Sequence, residues 1–292
     1  MNIQLLIIDG QNSFCSPGDP SIPWSDNPFD NYELGLKYPA HMRRGELYVP
    51  GAEEDMKRLS DMVKKHGSKI DHIRFTLDSH HLLHIAHPIC WVDENGNHPS
   101  PFTTITYADV SGADPKWKAF NPGWQNRQVE YIRKLEEGQR YALTVWFPHC
   151  LIGSYGHGVY PELFETLLSW EKDTFNIVDF VTKGSNIFTE HYSVVKADVP
   201  DPADPSTNIN TGFIKRLEEA DRILVAGEAG SHCVRFSVTD IINEFGQENA
   251  KKFVILEDAM NAVPGFESLQ EDFFNEMKNL GIQITKTTEF FG

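Results

Sequence analysis

Leu5-Leu6-Ile7-Ile8, closed by Asp9-Gly10, is the stretch whose reading decides the fold. Four consecutive apolar residues do not alternate between a wet and a dry face. A strand made of them is buried on both sides, as in a parallel sheet covered by helices. The pattern recurs down the chain. Met56, Leu59 and Val63 fall at helical spacing over 52–66, and His72–Leu77 then reads as a strand ending at Asp78. Tyr141–Val145, Ile177–Val181, Arg222–Ala226, Phe253–Leu256 and Ile282–Thr285 are the further expected strands. Helices are expected near 124–137, from Pro161, from about 210 to 220, along the Val234, Val238, Ile241 and Phe245 face, and over 266–280. Strands alternating with helices of this length predict an α/β fold, with a mostly parallel sheet covered on both sides. Two stretches, 14–49 and 84–123, are rich in Pro, Asn and aromatics without a stable period and read as long irregular segments.

Composition narrows the function classes. Of 292 residues, 40% are hydrophobic and 12% aromatic, enough for a sizeable core and too many for a disordered chain. Lys and Arg number 26 against 42 Asp and Glu, a net charge of −16, which argues against nucleic acid or an anionic membrane as the main partner. No window approaches the roughly 18 apolar residues of a membrane span. The start lacks the pattern of a secretory signal, and Cys15, Cys90, Cys150 and Cys233 are too irregularly spaced for a disulfide framework. A cytoplasmic protein in one domain, 1–292, is the expectation.

Polar residues of catalytic type stand at the expected strand ends, where open parallel sheets collect ligands. Cys233 follows a core strand in Gly227-Glu228-Ala229-Gly230-Ser231-His232-Cys233 and opens an amphipathic helix. Unpaired amides and the helix dipole there favour a thiolate, and the same amides suit a tetrahedral oxyanion. The plain alternative is an inert core cysteine, the reading adopted for the other three. His232 is rejected as a base for Cys233, because adjacent residues at a helix start face apart.

Asp78-Ser79-His80 places a carboxylate and an imidazole on one face of an extended chain, a pair suited to a borderline divalent ion. His149 is the expected third ligand, and His84 and His87 are nearby extra candidates. Lys183-Gly184 follows a strand, and next to Cys233 this lysine would favour the thiolate and hold Asp9 ionised. Phe14 and Trp146 stand beside polar candidates and could wall a flat pocket. The crowded glycines of 153–158 do not follow a strand, so they are no dinucleotide fingerprint; no P-loop or serine-hydrolase elbow is present either.

Taken in order, Asp9, Asp78-x-His80, Pro148-His149-Cys150, Lys183-Gly184 and Cys233 resemble the nicotinamidase and isochorismatase-like cysteine hydrolases, from about residue 3 to 288. The resemblance implies a three-layer α/β/α fold with a six-stranded parallel sheet, insertions near 20–48 and 88–123, and a homo-oligomer. It makes Cys233 the nucleophile, Asp9 the proton-transfer residue and Lys183 their electrostatic partner. It further implies a cis Glu228–Ala229 peptide, with the Ala229 and Cys233 amides as oxyanion hole. Asp78, His80 and His149, with His84 as a possible fourth, would hold one divalent ion, zinc or iron. Phe14 and Trp146 would sandwich a pyridine ring.

The implied activity is hydrolysis of nicotinamide to nicotinate and ammonia through a thioester. The alternatives are a related amidase or carbamoyl hydrolase on another small amide, and a non-catalytic binding or assembly domain of the same fold. Ser79 stands where many nicotinamidases carry a bulky aromatic, and Gly230-Ser231-His232 replaces the more usual Thr-Asp-Tyr.

Overall fold

The computed structural model describes residues 1–23, 25 and 37–292. Residue 24 and residues 26–36, part of the expected 14–49 segment and 20–48 insertion, lie outside the described residues. The main sheet has six strands: β1 Ile3–Ile8, β2 His72–Asp78, β3 Asp179–Lys183, β4 Arg222–Gly227, β5 Phe253–Leu256 and β6 Gln283–Thr285. Their order is β3-β2-β1-β4-β5-β6 and every pairing is parallel. All six residues of β1 are buried, which explains why its sequence does not alternate. Truncating one of these side chains, Ile7→Ala for example, is expected to cost about 2–5 kcal/mol.

Helices α1 Ala52–His66 and α3 Pro161–Thr174 pack against each other, and α4 Thr211–Glu218 packs against α5 Cys233–Phe245. With α6 Glu267–Asn279 beside α5, joined through Arg235 to Glu276 at 2.8 Å, the two groups form the outer layers of an α/β/α sandwich. The right-handed rule for parallel crossovers requires this division, because the chain moves outward from β1 to β3 and then back past β1 to β6. Pro161 occupies the first position of α3, and Asn210 caps α4 by accepting the Phe213 amide hydrogen bond at 3.0 Å.

One expected strand falls outside this sheet. Tyr141–Val145 contributes only Leu143–Thr144, paired antiparallel with Thr104–Ile105 from the 84–123 segment. The residues have strand chemistry, but their partner comes from the irregular segment. Helix α2, Gln125–Glu137, lies between the two. No helix among the described residues is long and apolar enough to cross a membrane.

The chain reverses its progress across the sheet between β1 and β4, the position where open α/β sheets form a crevice. Register fixes what lies there. Ile8 pairs with Gly227, and Asp78 pairs with Lys183, so the segments after four strands emerge side by side. Gly227 has φ +118°, and a Cβ on it would sit 1.9 Å from the Ile8 carbonyl oxygen, so only glycine brings β4 this close.

Candidate active site

Asp9 leaves β1 in the left-handed region at φ 47°, a conformation unusual for a residue with a side chain. Thr76, two residues before Asp78 on the same face of β2, holds it there. Its hydroxyl accepts the Asp9 amide hydrogen bond at 3.0 Å and donates to Asp9 Oδ1. The Lys183 ammonium then reaches Asp9 Oδ2 at 2.8 Å, Asp78 Oδ1 at 3.1 Å, the His191 carbonyl at 3.1 Å and Cys233 Sγ at 3.6 Å. Four acceptors surround three N–H bonds, in a site where Asp9 is wholly buried and Lys183 is 3% exposed. Burial opposes the lysine's charge, but the carboxylates of Asp78 and Asp9 outweigh it and hold the ammonium well above its usual range.

The sulfur is less acidic than its place at a helix start suggested. Burial pushes the Cys233 thiol well up; Lys183 pulls it down, while Asp9 and Asp78 add to the rise. The resting group is therefore a thiol, and it shares the Lys183 ammonium with the Asp9 carboxyl. Burial likewise raises the Asp9 carboxyl, against the pull of Lys183. The Glu228–Ala229 peptide before this loop is cis, as the resemblance implied. Among the described residues the Ala229 and Cys233 amides have no hydrogen-bond acceptor.

Asp78 has a second set of neighbours. Its Oδ2 lies 2.9 Å from His80 Nε2 and 3.3 Å from His149 Nε2. The other nitrogen of each ring faces a backbone carbonyl, His80 Nδ1 to Gly184 O at 3.0 Å and His149 Nδ1 to Phe147 O at 2.8 Å. A carbonyl only accepts, so each Nδ1 carries hydrogen and each Nε2 of a neutral ring turns a lone pair toward the carboxylate. Lone pairs converging on an anion call for a cation among them, and imidazoles anchored through Nδ1–H are the usual support of a metal site. The three ligand atoms lie within 4.8 Å of one another and all three residues are buried. One carboxylate and two imidazoles therefore fit a divalent transition metal.

His149 reaches the trio by an irregular path. The segment after the Leu143–Thr144 strand runs beside His80, whose amide donates to Cys150 O at 3.0 Å and whose carbonyl accepts from Ile152 N at 3.0 Å. His84 lies outside the trio, since its Nδ1 accepts from Ala86 N at 3.3 Å and its Nε2 faces Thr189 O at 3.2 Å. Its ring packs on His80 with centroids 4.3 Å apart. His87 packs against both His80 and His149, at 5.5 and 5.8 Å. Gly184 also makes room here: with φ +84°, any Cβ on it would strike Asp78 Oδ1 at 2.7 Å.

A narrow cavity opens onto both groups. Phe14, Trp146 and Tyr192 line it beside Cys233, Asp78 and His149, with Glu190 and His232 as further polar walls. Trp146 is fixed by donating Nε1–H to the Tyr192 hydroxyl at 2.8 Å. Burial pushes the His232 imidazole down to about 3, so it is neutral, and it bonds Ser231 Oγ at 2.9 Å rather than serving the thiol.

No family model matches this sequence, and no curated protein is similar to it in sequence. Solved structures are similar in shape. The yeast nicotinamidase superposes with a TM-score of 0.59 at 17% identity, covering 97% of this chain and 99% of that one. A nicotinamidase/pyrazinamidase from Acinetobacter baumanii gives 0.60 at 18%, covering 99% and 97%. The chain has the nicotinamidase fold. The zinc complex of the Pyrococcus horikoshii pyrazinamidase shares that fold too, with a TM-score of 0.52 at 16% identity over 98% and 99% of the two chains.

The sequence pointed to Asp9, Asp78, His80, His149, Lys183 and Cys233, and these residues lie together at the switch point of the nicotinamidase fold. It did not single out Thr76, Glu190 or Tyr192. Thr76 could have been found from its two-residue spacing to Asp78. Glu190 and Tyr192 sit in an irregular segment after β3, where nothing periodic marks them.

Proposed function

We propose that the protein is a metal-containing cysteine amidohydrolase that converts nicotinamide, or a close heteroaromatic amide, to the acid and ammonia. The observation that carries this reading is the contact of Lys183 with Asp9, Asp78 and Cys233 at once, beside a ligand trio that shares Asp78.

The reaction follows from the positions of the protons. Cys233 gives its S–H proton to Asp9 as sulfur attacks the amide carbon. Lys183 keeps the negative charge that appears on sulfur from standing alone in a dry site. The free amides of Ala229 and Cys233 receive the oxyanion. When the C–N bond breaks, Asp9 passes the proton to nitrogen and ammonia leaves. Water then attacks the thioester carbon and Asp9 takes its proton. The acid departs as Cys233 recovers its hydrogen. Phe14 and Trp146 offer aromatic faces for a planar ring and exclude water. Zinc or iron held by Asp78, His80 and His149 would supply a Lewis-acid anchor for a ring nitrogen.

Glu190 and His232 in the lining favour a second reading, a related amidase or carbamoyl hydrolase whose small amide carries an extra polar group. Ammonia release from nicotinamide, pyrazinamide and N-carbamoyl compounds, before and after chelation, tests both. The first reading expects chelator-sensitive release from nicotinamide and pyrazinamide. Release from N-carbamoyl compounds alone selects the second, and release from none contradicts both.

A further inference from the structure

A glutamate just past a core strand would ordinarily turn to water, yet Glu228 is wholly buried and Asp55, in the first turn of α1, is 1% exposed. Their carboxyls converge on Asn261, whose backbone and side-chain amides each bond one of them, and each carboxyl acts on the other's proton affinity. Two carboxylates in contact in a dry site do not both ionise, so one must donate an O–H. The neighbours say which. Arg58 Nη2 donates to Asp55 Oδ1 and Asn261 Nδ2 donates to Asp55 Oδ2, each at 2.5 Å. Among the described residues Glu228 Oε2 accepts only the Asn261 amide at 3.1 Å, and Glu228 Oε1 has no N–H or hydroxyl donor. Asp55 is the carboxylate, and Glu228 carries the proton.

The pair ties together the segment that bears the sulfur. Glu228 N donates to Ile8 O at 2.7 Å, and Gly230 N donates to Asn261 O at 2.8 Å. Asn261 thus holds Glu228, Asp55 and Gly230 at once. We infer that Glu228 is a positioning residue for the 227–233 loop, acting as a neutral carboxylic acid latched onto Asp55, and that losing this proton loosens the loop. The inference rests on the reading of Cys233 and Ala229 given above. Glu53 from α1 and Cys15 from the Asn12–Cys15 turn also face the pair, and Arg58 is the cation in contact with it. Burial and the Asp55 charge hold the Glu228 carboxyl well above its usual value of 4.5. Stability from this group is therefore complete below 4.5 and is lost as pH rises toward the folded-state value.

Glu228→Gln tests this, since the amide donates to Asp55 at every pH. Thermal unfolding and turnover of both proteins are measured from pH 5 to 9. The variant's Tm should gain on the wild type by on the order of 2–4 °C per pH unit until the pair ionises. The ratio of variant to wild-type kcat should stay level over that range and rise only where the folded pair ionises. Glu228→Ala, which lacks the donor, should lose about tenfold or more in kcat with little change in KM, a loss that Gln reverses. If Glu228→Ala does not fold, the Gln comparison decides alone. If no amide is turned over, iodoacetamide labelling of Cys233 replaces kcat, and the Tm series reads the latch independently of the reaction. A Tm gap and a reactivity ratio that stay constant with pH would overturn the proposal.

Discussion

Lys183 Nζ and Asp78 Oδ1 lie 3.1 Å apart, so a residue of the candidate metal-ligand trio and a residue of the thiol cluster form one ion pair. The other oxygen of Asp78 serves His80 and His149. One buried carboxylate thus holds both halves of the site in register, and damage to either half should be felt in the other.

Lys183→Met should expose this coupling. It leaves Asp9 and Asp78 buried without their shared cation, a loss expected to cost about 3–5 kcal/mol of stability. Chemical denaturation checks it, and a cost below about 1 kcal/mol would show that the cation is not needed to hold the pair, since that is the scale of a surface ion pair.

Zinc titrated calorimetrically into the metal-stripped protein should bind at one site. His80→Ala and His149→Ala should abolish it, whereas His84→Ala should keep the stoichiometry, because both His84 nitrogens are engaged elsewhere. Loss of binding in His84→Ala would contradict the three-residue set.

Trp146→Ala should raise KM for nicotinamide about tenfold or more while lowering kcat less, since the indole lines the cavity without touching the sulfur in the hydrogen-bond network. Steady-state kinetics decide between this and a loss confined to kcat.

Asp198, behind the cavity wall where its carboxyl accepts the Tyr192 amide hydrogen bond at 3.4 Å, supplies a pH test. Burial raises its carboxyl to about 6, against the pull of Arg140. Folding then favours the protonated form, so this contribution is complete below 3.8 and is lost between 3.8 and about 6. The loss is on the order of 3 kcal/mol. Asp198→Asn should remove that part of the stability–pH curve; equal slopes for the two proteins across the window would refute the assignment.

Much of this was legible in the sequence because the chemistry sits where periodic strands stop. Asp9, Asp78, Lys183 and Cys233 each follow or end a run of apolar residues, and strand ends in a parallel sheet share one edge. His149 was legible as a ligand, although the expected strand over 141–145 was only Leu143–Thr144, whose partner lies in an aperiodic stretch. The protonation of Cys233 was not legible, because the helix start argues for a thiolate and only the folded chain shows how deeply sulfur is buried between two carboxylates. Glu228 was hidden for a related reason. Its partner Asp55 is remote in sequence, and a glutamate gives no local sign that another acid will meet it.

The sulfur of Cys233 is the atom on which the proposed chemistry turns. Acid quenching during nicotinamide turnover, followed by peptide mass spectrometry, should find the nicotinoyl group on the peptide containing Cys233 and on no other cysteine, with turnover lost in Cys233→Ala. An acyl group on Cys15, Cys90 or Cys150, or full turnover by Cys233→Ala, would contradict it.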